Sequence, residues 1–520
     1  MNKDDKKSIA ELVQEELDKE NIEFIKFSDA EEALKYISNN KNFKKTSELL
    51  MDLMNKTNTA NDSFTYYDYV ETLTLLLEKQ SKDCNTEKYS KKTIINWFND
   101  EATYFKSRKT PIEICFALKA DYVTTKDFMN KCGYNILNVR DAEDAIFIYC
   151  IVNNRPLSVA YELIDKYQNI LKVDTRITSE DLIEGSGYTS TLLENKLSDY
   201  SDWENDDNFF NTFLIPHTKD FISCSKTTLR EYNKIKNPIY LLALKRIAED
   251  DYNESKKIID AKEEKIHAIE RGETPLYKKN AGKGQYTPTA KLMRNLEKKS
   301  SSSEIFQNAY NFIETDMYNN KIIYSCNKAI DYLITETEKN KDNPIIQNDI
   351  SRLLSQIITP EKMFNVLLPA LWENEAESDD NVNSRSKKLA QTKESRLVLD
   401  HFPKRHTITG YENTPEKSLI NISFRKTFIL FFYLNYIYTS NWFYNAFNPI
   451  KKFKDNSHSF EDFFYKLNDL LNKCKLGHLY PHDRFDWLIL SSIVQIETYN
   501  PDIDDDPLEY LNNIIRMLTD

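Results

Sequence analysis

Apolar residues recur at helix-like intervals in segment after segment of this chain, and the clearest case is Ser90 to Leu118. Ser90 is a good N-cap, because its hydroxyl can accept a backbone N–H left unpaired in a first helical turn. Lys91 to Asn99 then runs without glycine or proline. At about 100° per residue, Ile94, Ile95, Trp97 and Phe98 fall on one face and Lys92, Thr93, Asn96 and Asn99 on the other. The pattern predicts a short helix with a buried back and a hydrogen-bonding front. Lys106, Arg108 and Lys109 follow in a short basic loop, and Thr110 with Pro111 opens a second helix, Pro111 to Leu118. The run of Ile112, Ile114, Cys115, Phe116 and Leu118 is predicted to be buried.

Upstream, Tyr67 to Lys79 reads as a helix with Val70, Leu73, Leu75, Leu76 and Leu77 inward, while Ser81 to Tyr89 is polar and too short for a helix of its own. Lys6 to Lys19 reads as a charged amphipathic helix. A repeat is suggested where Asp29–Leu34, Asn39-Asn40 and Glu48–Leu50 echo Asp141–Ile146, Asn153-Asn154 and Glu162–Ile164. Two copies are too few for a solenoid, so the expectation is two helical hairpins flanking a core at Tyr67 to Cys132.

The remaining pattern divides the chain coarsely. Residues 1–60 form an N-terminal helical region, 61–135 the core unit and 136–270 a further helical domain with an acidic loop at Asp199 to Asp207. Glycine, proline and eight cations gather in 271–303, which reads as a basic linker. Residues 304–372 are helical, and 373–400 are polar enough to predict an exposed loop. A C-terminal helical domain fills 401–520. Within it Thr427 to Phe447 is uncharged for about the length of a membrane span. Asn435, Thr439, Ser440, Asn441 and Asn445 interrupt it, and each would cost energy in hydrocarbon. It reads as a buried helix.

Composition narrows the function classes. Over 520 residues, 8 Gly and 15 Pro argue against glycine-rich nucleotide folds and β-barrels, and 40% apolar content suffices for sizeable cores. The expected fold class is all-α and multi-domain. A net charge of −12 argues against wholesale wrapping of nucleic acid, so any contact with DNA must be local. Seven scattered cysteines without a CxxC pair fit a reducing cytoplasm. The charged N-terminus lacks the apolar core of a signal peptide.

The chemistry on offer is recognition rather than catalysis. Asparagine can pair with adenine edges in a major groove, and lysine with guanine O6 or N7 or with phosphate. Basic loops beside such a helix usually hold phosphates. The candidate DNA-binding residues are therefore Lys92, Thr93, Asn96 and Asn99 toward bases, with Lys106, Arg108 and Lys109 on phosphates.

These residues also carry a resemblance. TIINWF, a polar loop and PIEICFALKADYVTTKDFM are similar to the recognition helix and following helices of Cro/repressor-type helix-turn-helix proteins. More closely, the chain resembles helix-turn-helix proteins of clostridial bacteria through Thr93, Ile94 and Trp97, then Ile114 to Leu118, then Asp121, Thr125 and Phe128, then Asp144, Ala145, Ile146, Tyr149 and Cys150. A second stretch keeps Arg425-Lys426, Asn468, Leu471, Cys474, Leu479, Tyr480, Asp486 and Trp487, with Lys475 where those proteins have glycine. The resemblance implies a bacterial cytoplasmic protein with a DNA-binding segment and no established reaction. It lacks a recognisable first helix of the turn before Ser90.

Other constellations are weaker. Ala281-Gly282-Lys283-Gly284 lacks the spacing of a phosphate loop. Cys474, His478 and His482 are evenly spaced, but Pro481 breaks the helix that would align them as metal ligands. The aromatic run Tyr433 to Tyr444 reads as core before it reads as a base-stacking surface. The expectation is a non-enzymatic DNA-binding regulator with no cofactor and no metal. DNA is its expected partner through a local basic surface; protein partners and a homodimer stay open, and no membrane is involved. The alternative is a helical interaction scaffold, in a mobile-element or phage-defence setting, that does not itself touch DNA.

Overall fold

The computed structural model describes residues 30–174 with short breaks, 190–198, 205–218, 226–270, 288–316, 322–358, 422–439 and 460–497, and a few isolated residues besides. Among these residues there are helices and no strands, so the chain is all-α. The expected helix at Lys6 to Lys19, the polar loop at 373–400 and the first part of the C-terminal domain lie outside the described residues.

Buried apolar side chains gather into two cores. The first joins α2 (Thr46–Lys56), α3 (Tyr66–Cys84), α4 (Lys91–Phe98), α5 (Lys109–Ala117), α6 (Tyr122–Lys131), α7 (Ala142–Val152), α8 (Leu157–Asp174) and α9 (Ser190–Ser198). One helical turn, α10 (Asp206–Asn208), then widens into a π-helical segment, Phe209–Leu214, whose phenylalanines complete this core; Phe209 stacks on Tyr149 with ring centres 3.8 Å apart.

The second core is built on α11 (Lys226–Glu270), with α12 (Pro288–Lys299), α13 (Glu304–Asp316), α14 (Ile322–Lys339), α15 (Pro344–Ile357), α16 (Ile422–Thr439), α17 (Phe460–Lys473) and α18 (Arg484–Glu497). A short amide ladder crosses its interior. Asn237 of α11 donates to the carbonyl and side-chain oxygens of Gln347 at 2.9 and 3.0 Å. Gln347 in turn donates to the carbonyls of Thr337 and Asn340.

The first described helix, α1 (Ala30–Ser38), does not belong to the core of its neighbours. Ala33, Ile37 and Phe43 join the second core. Tyr36 stacks on Trp487 of α18 at 4.7 Å, Phe43 meets the same indole edge-on, and Arg484 donates to the Ile37 carbonyl at 3.1 Å. The expected pair of hairpins is thus only half realised. α7 and α8 form one, but α1 and α2 part to opposite cores, because Trp487 supplies an aromatic surface that the short α1 cannot find beside α2.

Three further differences from the sequence reading have local causes. Leu75, expected inside, is 60% exposed: it lies two steps, about 200°, from both Leu73 and Leu77, which are buried. Ser81 to Cys84, expected to be irregular, continue α3, since Leu77 and Ser81 both face inward. The distal part of the expected basic linker is helix α12, because Leu292 and Leu296 share one buried face while Arg294 and Lys298 stay outside. The apolar stretch from Thr427 is α16, buried in the second core as expected as far as Thr439; residues 440–447 lie outside the described residues. Among the described residues no helix is long and apolar enough to cross a membrane.

Arg425, near the start of α16, is the polar centre of the C-terminal helices. Its guanidinium reaches Asp486 through two hydrogen bonds of 3.0 and 2.6 Å and also donates to the carbonyls of Gly477 and His478 at 2.8 and 2.5 Å. Desolvation pulls this guanidinium toward neutrality, but the Asp486 carboxylate outweighs it and holds the charge. Asp486 also accepts the Tyr480 N–H at 2.8 Å, and Asn468 accepts that of Leu479. Four successive residues of the loop between α17 and α18, Gly477 to Tyr480, are thus pinned by side chains.

Gly477 in that loop lies against the first core: a Cβ there would stand 2.0 Å from the Asn130 side-chain oxygen. Gly477→Ala should lower the unfolding free energy by about 1–3 kcal/mol in urea titration. Adding Asn130→Ala should return most of the loss; no recovery in the double variant would mean the clash is not the cause.

Candidate nucleic-acid interface

The front of α4 is set by what its back must bury. Ser90 caps the helix, its hydroxyl accepting the Thr93 N–H at 3.1 Å. Ile94, Trp97 and Phe98 are buried; Trp97 packs between Tyr89 and Phe105, and Phe98 meets the ring of Tyr66. This leaves Lys91, Lys92 and Thr93 exposed, Asn96 half-buried and Asn99 exposed at the C-cap. The first turn carries two lysines and no acid, where a helix dipole favours anions. Taken alone, that first turn sets like charge against like charge.

The front is not uniformly available for contacts. Thr93 shares a 2.7 Å hydroxyl–hydroxyl bond with Ser90, and the Asn99 side-chain oxygen accepts the Tyr66 hydroxyl. Lys91, which sequence reasoning passed over, stands exposed beside Lys92; its place directly after the N-cap was the available signal.

The basic loop divides. Lys106 lies outside the described residues. Lys109 is exposed at the start of α5, 4.4 Å above the Tyr161 ring and 4.0 Å from the Glu113 carboxylate. Glu113 also accepts the hydroxyls of Tyr89 and Tyr161, so Lys109 borders a satisfied polar cluster. Arg108 turns the other way. Two 2.7 Å bonds tie its guanidinium to both oxygens of Asp144, and a third, at 3.3 Å, reaches the Ile136 carbonyl. Asp144 is buried, and it accepts the Asn138 N–H as well. The placement of Arg108 on phosphates is therefore corrected: a buried carboxylate beside it takes the fork that a phosphate would need. Spacing in the sequence could not reveal this partner, because Asp144 lies two helices away.

The helix that precedes α4 is α3, capped at its C-terminus by left-handed Asn85 at φ 51°. The connection from Asn85 to Ser90 is longer than the roughly 3–4 residues of the usual motif. α3 and α4 pack together under Tyr66 and Phe98. The residues that carry the resemblance to helix-turn-helix proteins are largely interior: Trp97, Ile114, Cys115, Thr125, Phe128, Asp144, Tyr149 and Cys150 are all buried. In this chain they are packing positions and form no contact face.

The cysteines of this core are inert. Burial pushes the Cys115 thiol up to about 12 and that of Cys132 well above its usual range, which suppresses thiolate reactivity. Among the described residues no three His, Cys, Asp or Glu side chains converge as metal ligands, and Cys474, His478 and His482 are no exception. Compared with family models, curated proteins and solved structures, the chain matches none.

Two outcomes follow from the Arg108 cluster. Arg108→Ala should destabilise the protein by about 3–5 kcal/mol, because it strands the buried Asp144 charge; calorimetry showing less than a tenth of that would contradict the assignment. Asp141, the N-cap of α7, has its carboxyl pushed up to about 7 by burial, with the Asp144 carboxylate adding to the effect. The folded chain keeps this proton up to about pH 7, whereas the unfolded chain releases it near 3.8. The contribution is thus fully present below that lower value and is lost as pH rises through the higher one. Relative to wild type, Asp141→Asn should show a flatter fall in stability between those two values.

Proposed function

We propose that this chain is a non-enzymatic DNA-binding protein acting in the cytoplasm as a transcription regulator, and that α4 is its contact helix. The observation that supports the reading is the first turn of α4, where Lys91, Lys92 and Thr93 are exposed over a fully buried Ile94, with no acid among them. Residues at the start of a recognition helix are those that reach base edges. Lys91 and Lys92 would meet phosphate or guanine, Asn96 would face adenine, and Lys109 would sit at the flank. Arg108 is left out of this set, so the surface is small and its affinity modest.

The alternative, a helical scaffold for protein contacts, draws support from the α3 face, where Tyr67 is 79% and Leu75 60% exposed, and from the net charge of −12. Fluorescence anisotropy with a labelled random 30-base-pair duplex separates the two. DNA binding should weaken with salt at a log–log slope near −2, about −0.9 per phosphate contacted, and K91E/K92E should abolish it. Equal anisotropy for wild type and K91E/K92E at low salt would remove the DNA reading.

A further inference from the structure

The two polar clusters described above are the same object twice. Asp141 and Asp483 are N-caps, each with its Oδ1 accepting the N–H of an aspartate three residues on, Asp144 at 2.9 Å and Asp486 at 3.1 Å. Each of those aspartates accepts a backbone N–H from six residues earlier, Asn138 at 2.7 Å and Tyr480 at 2.8 Å. Each takes both arms of an arginine, Arg108 or Arg425, and each arginine also donates to the carbonyl eight residues before its aspartate, Ile136 or His478.

The correspondence extends upstream in register. Asp127, Asn130, Lys131 and Cys132 recur as Asp469, Asn472, Lys473 and Cys474, and Leu137 as Leu479. Both segments close a helix at the lysine, α6 at Lys131 and α17 at Lys473, with the same Asp–Lys ion pair in the last turn. Both then turn through a left-handed residue, Gly133 at φ 74° and Lys475 at φ 56°, with matching bonds Tyr134 N–H to Met129 and Leu476 N–H to Leu471. The arginines open the same sequence, Arg108-Lys109-Thr110 and Arg425-Lys426-Thr427, followed in each case by a buried helix and a buried threonine.

We infer that the chain contains an internal duplication, a helical module present once in each core, and that the second copy has been adapted as a dock for α1. One bond agreeing by chance is ordinary; a capped helix, a turn and an ion pair agreeing at one spacing are not, and the clamping arginine reaches the same aspartate from 36 residues upstream in one copy and 61 in the other. The copies differ where their surroundings differ. Ala142 and Ala145 of the first copy correspond to Arg484 and Trp487 of the second. Those two are the residues that hold α1, through the Ile37 carbonyl and the Tyr36 and Phe43 rings. The echo between Asp29 and Asp141 seen in the sequence is thus not the relevant repeat. The copies also touch head to tail: the turn of the first, at Asn130 and Gly133, lies against Gly477 and Asp483 of the second.

The test gives the second copy the residues of the first, R484A/W487A, in the full chain, followed by amide hydrogen exchange. Exchange across 30–38 should quicken at least tenfold while amides of 479–490 keep their protection. Unchanged protection of 30–38 would mean that α1 is not held by these residues. Loss of protection throughout 479–490 would mean that alanine does not suffice there, and the module equivalence would fall. Arg484→Lys with Trp487→Phe, which keeps a cation and a ring, should restore slow exchange in 30–38; failure to restore it would likewise count against the dock.

Discussion

A guanidinium removed from water must give its N–H groups partners, and an aspartate removed from water must find donors for its oxygens. The Arg425–Asp486 pair meets both demands only because the loop between α17 and α18 bends its Gly477 and His478 carbonyls and its Tyr480 N–H toward it. The loop shape, the start of α18 and the position of α16 are therefore one constraint. Apolar burial supplies most of the stabilisation of such a core, but it is non-directional; the ion pair specifies which arrangement of helices is reached. Breaking one partner would leave a buried charge, so the two helices and their loop hold together or fail together.

The same constraint operates in the first core through Arg108 and Asp144, and it limits what the neighbouring surface can do. Arginine is the residue best suited to a bidentate grip on phosphate, and here that grip is already taken by a carboxylate. The recognition surface left over is lysine-based and short. The first turn of α4 carries two lysines and no acid, and the proposed contact with an anion rests on that local charge and on the exposure of Lys91 and Lys92.

Much of the fold was legible in the sequence. Ser90 as a cap, the limits of α4 to within a residue, the buried run of α5 apart from the half-buried Phe116, and the interior character of α16 all follow from local periodicity and capping chemistry. Long-range choices were not legible. Nothing near Tyr36 announces that it will stack on Trp487 rather than pack on α2, and Arg108 looks like any loop cation until Asp144 is brought beside it. The α4 front itself could be drawn from its spacing alone, but which of its groups are already engaged, as Thr93 and Asn99 are, depends on contacts with Ser90 and Tyr66 that only the folded helices create.

The claim that a buried arginine–aspartate pair sets the geometry of each core is tested most directly by a double-mutant cycle on the second pair. Arg425→Met, Asp486→Leu and the double variant would be compared with wild type by equilibrium unfolding. Each single variant should lose about 3–5 kcal/mol, and the double variant should be much more stable than the sum of the two losses, since it strands no charge. It should still fall short of wild type, because the Gly477 and His478 carbonyls and the Tyr480 N–H keep no partner. Additive losses would contradict the account, showing that the two residues stabilise the core independently and that their pairing does not organise it.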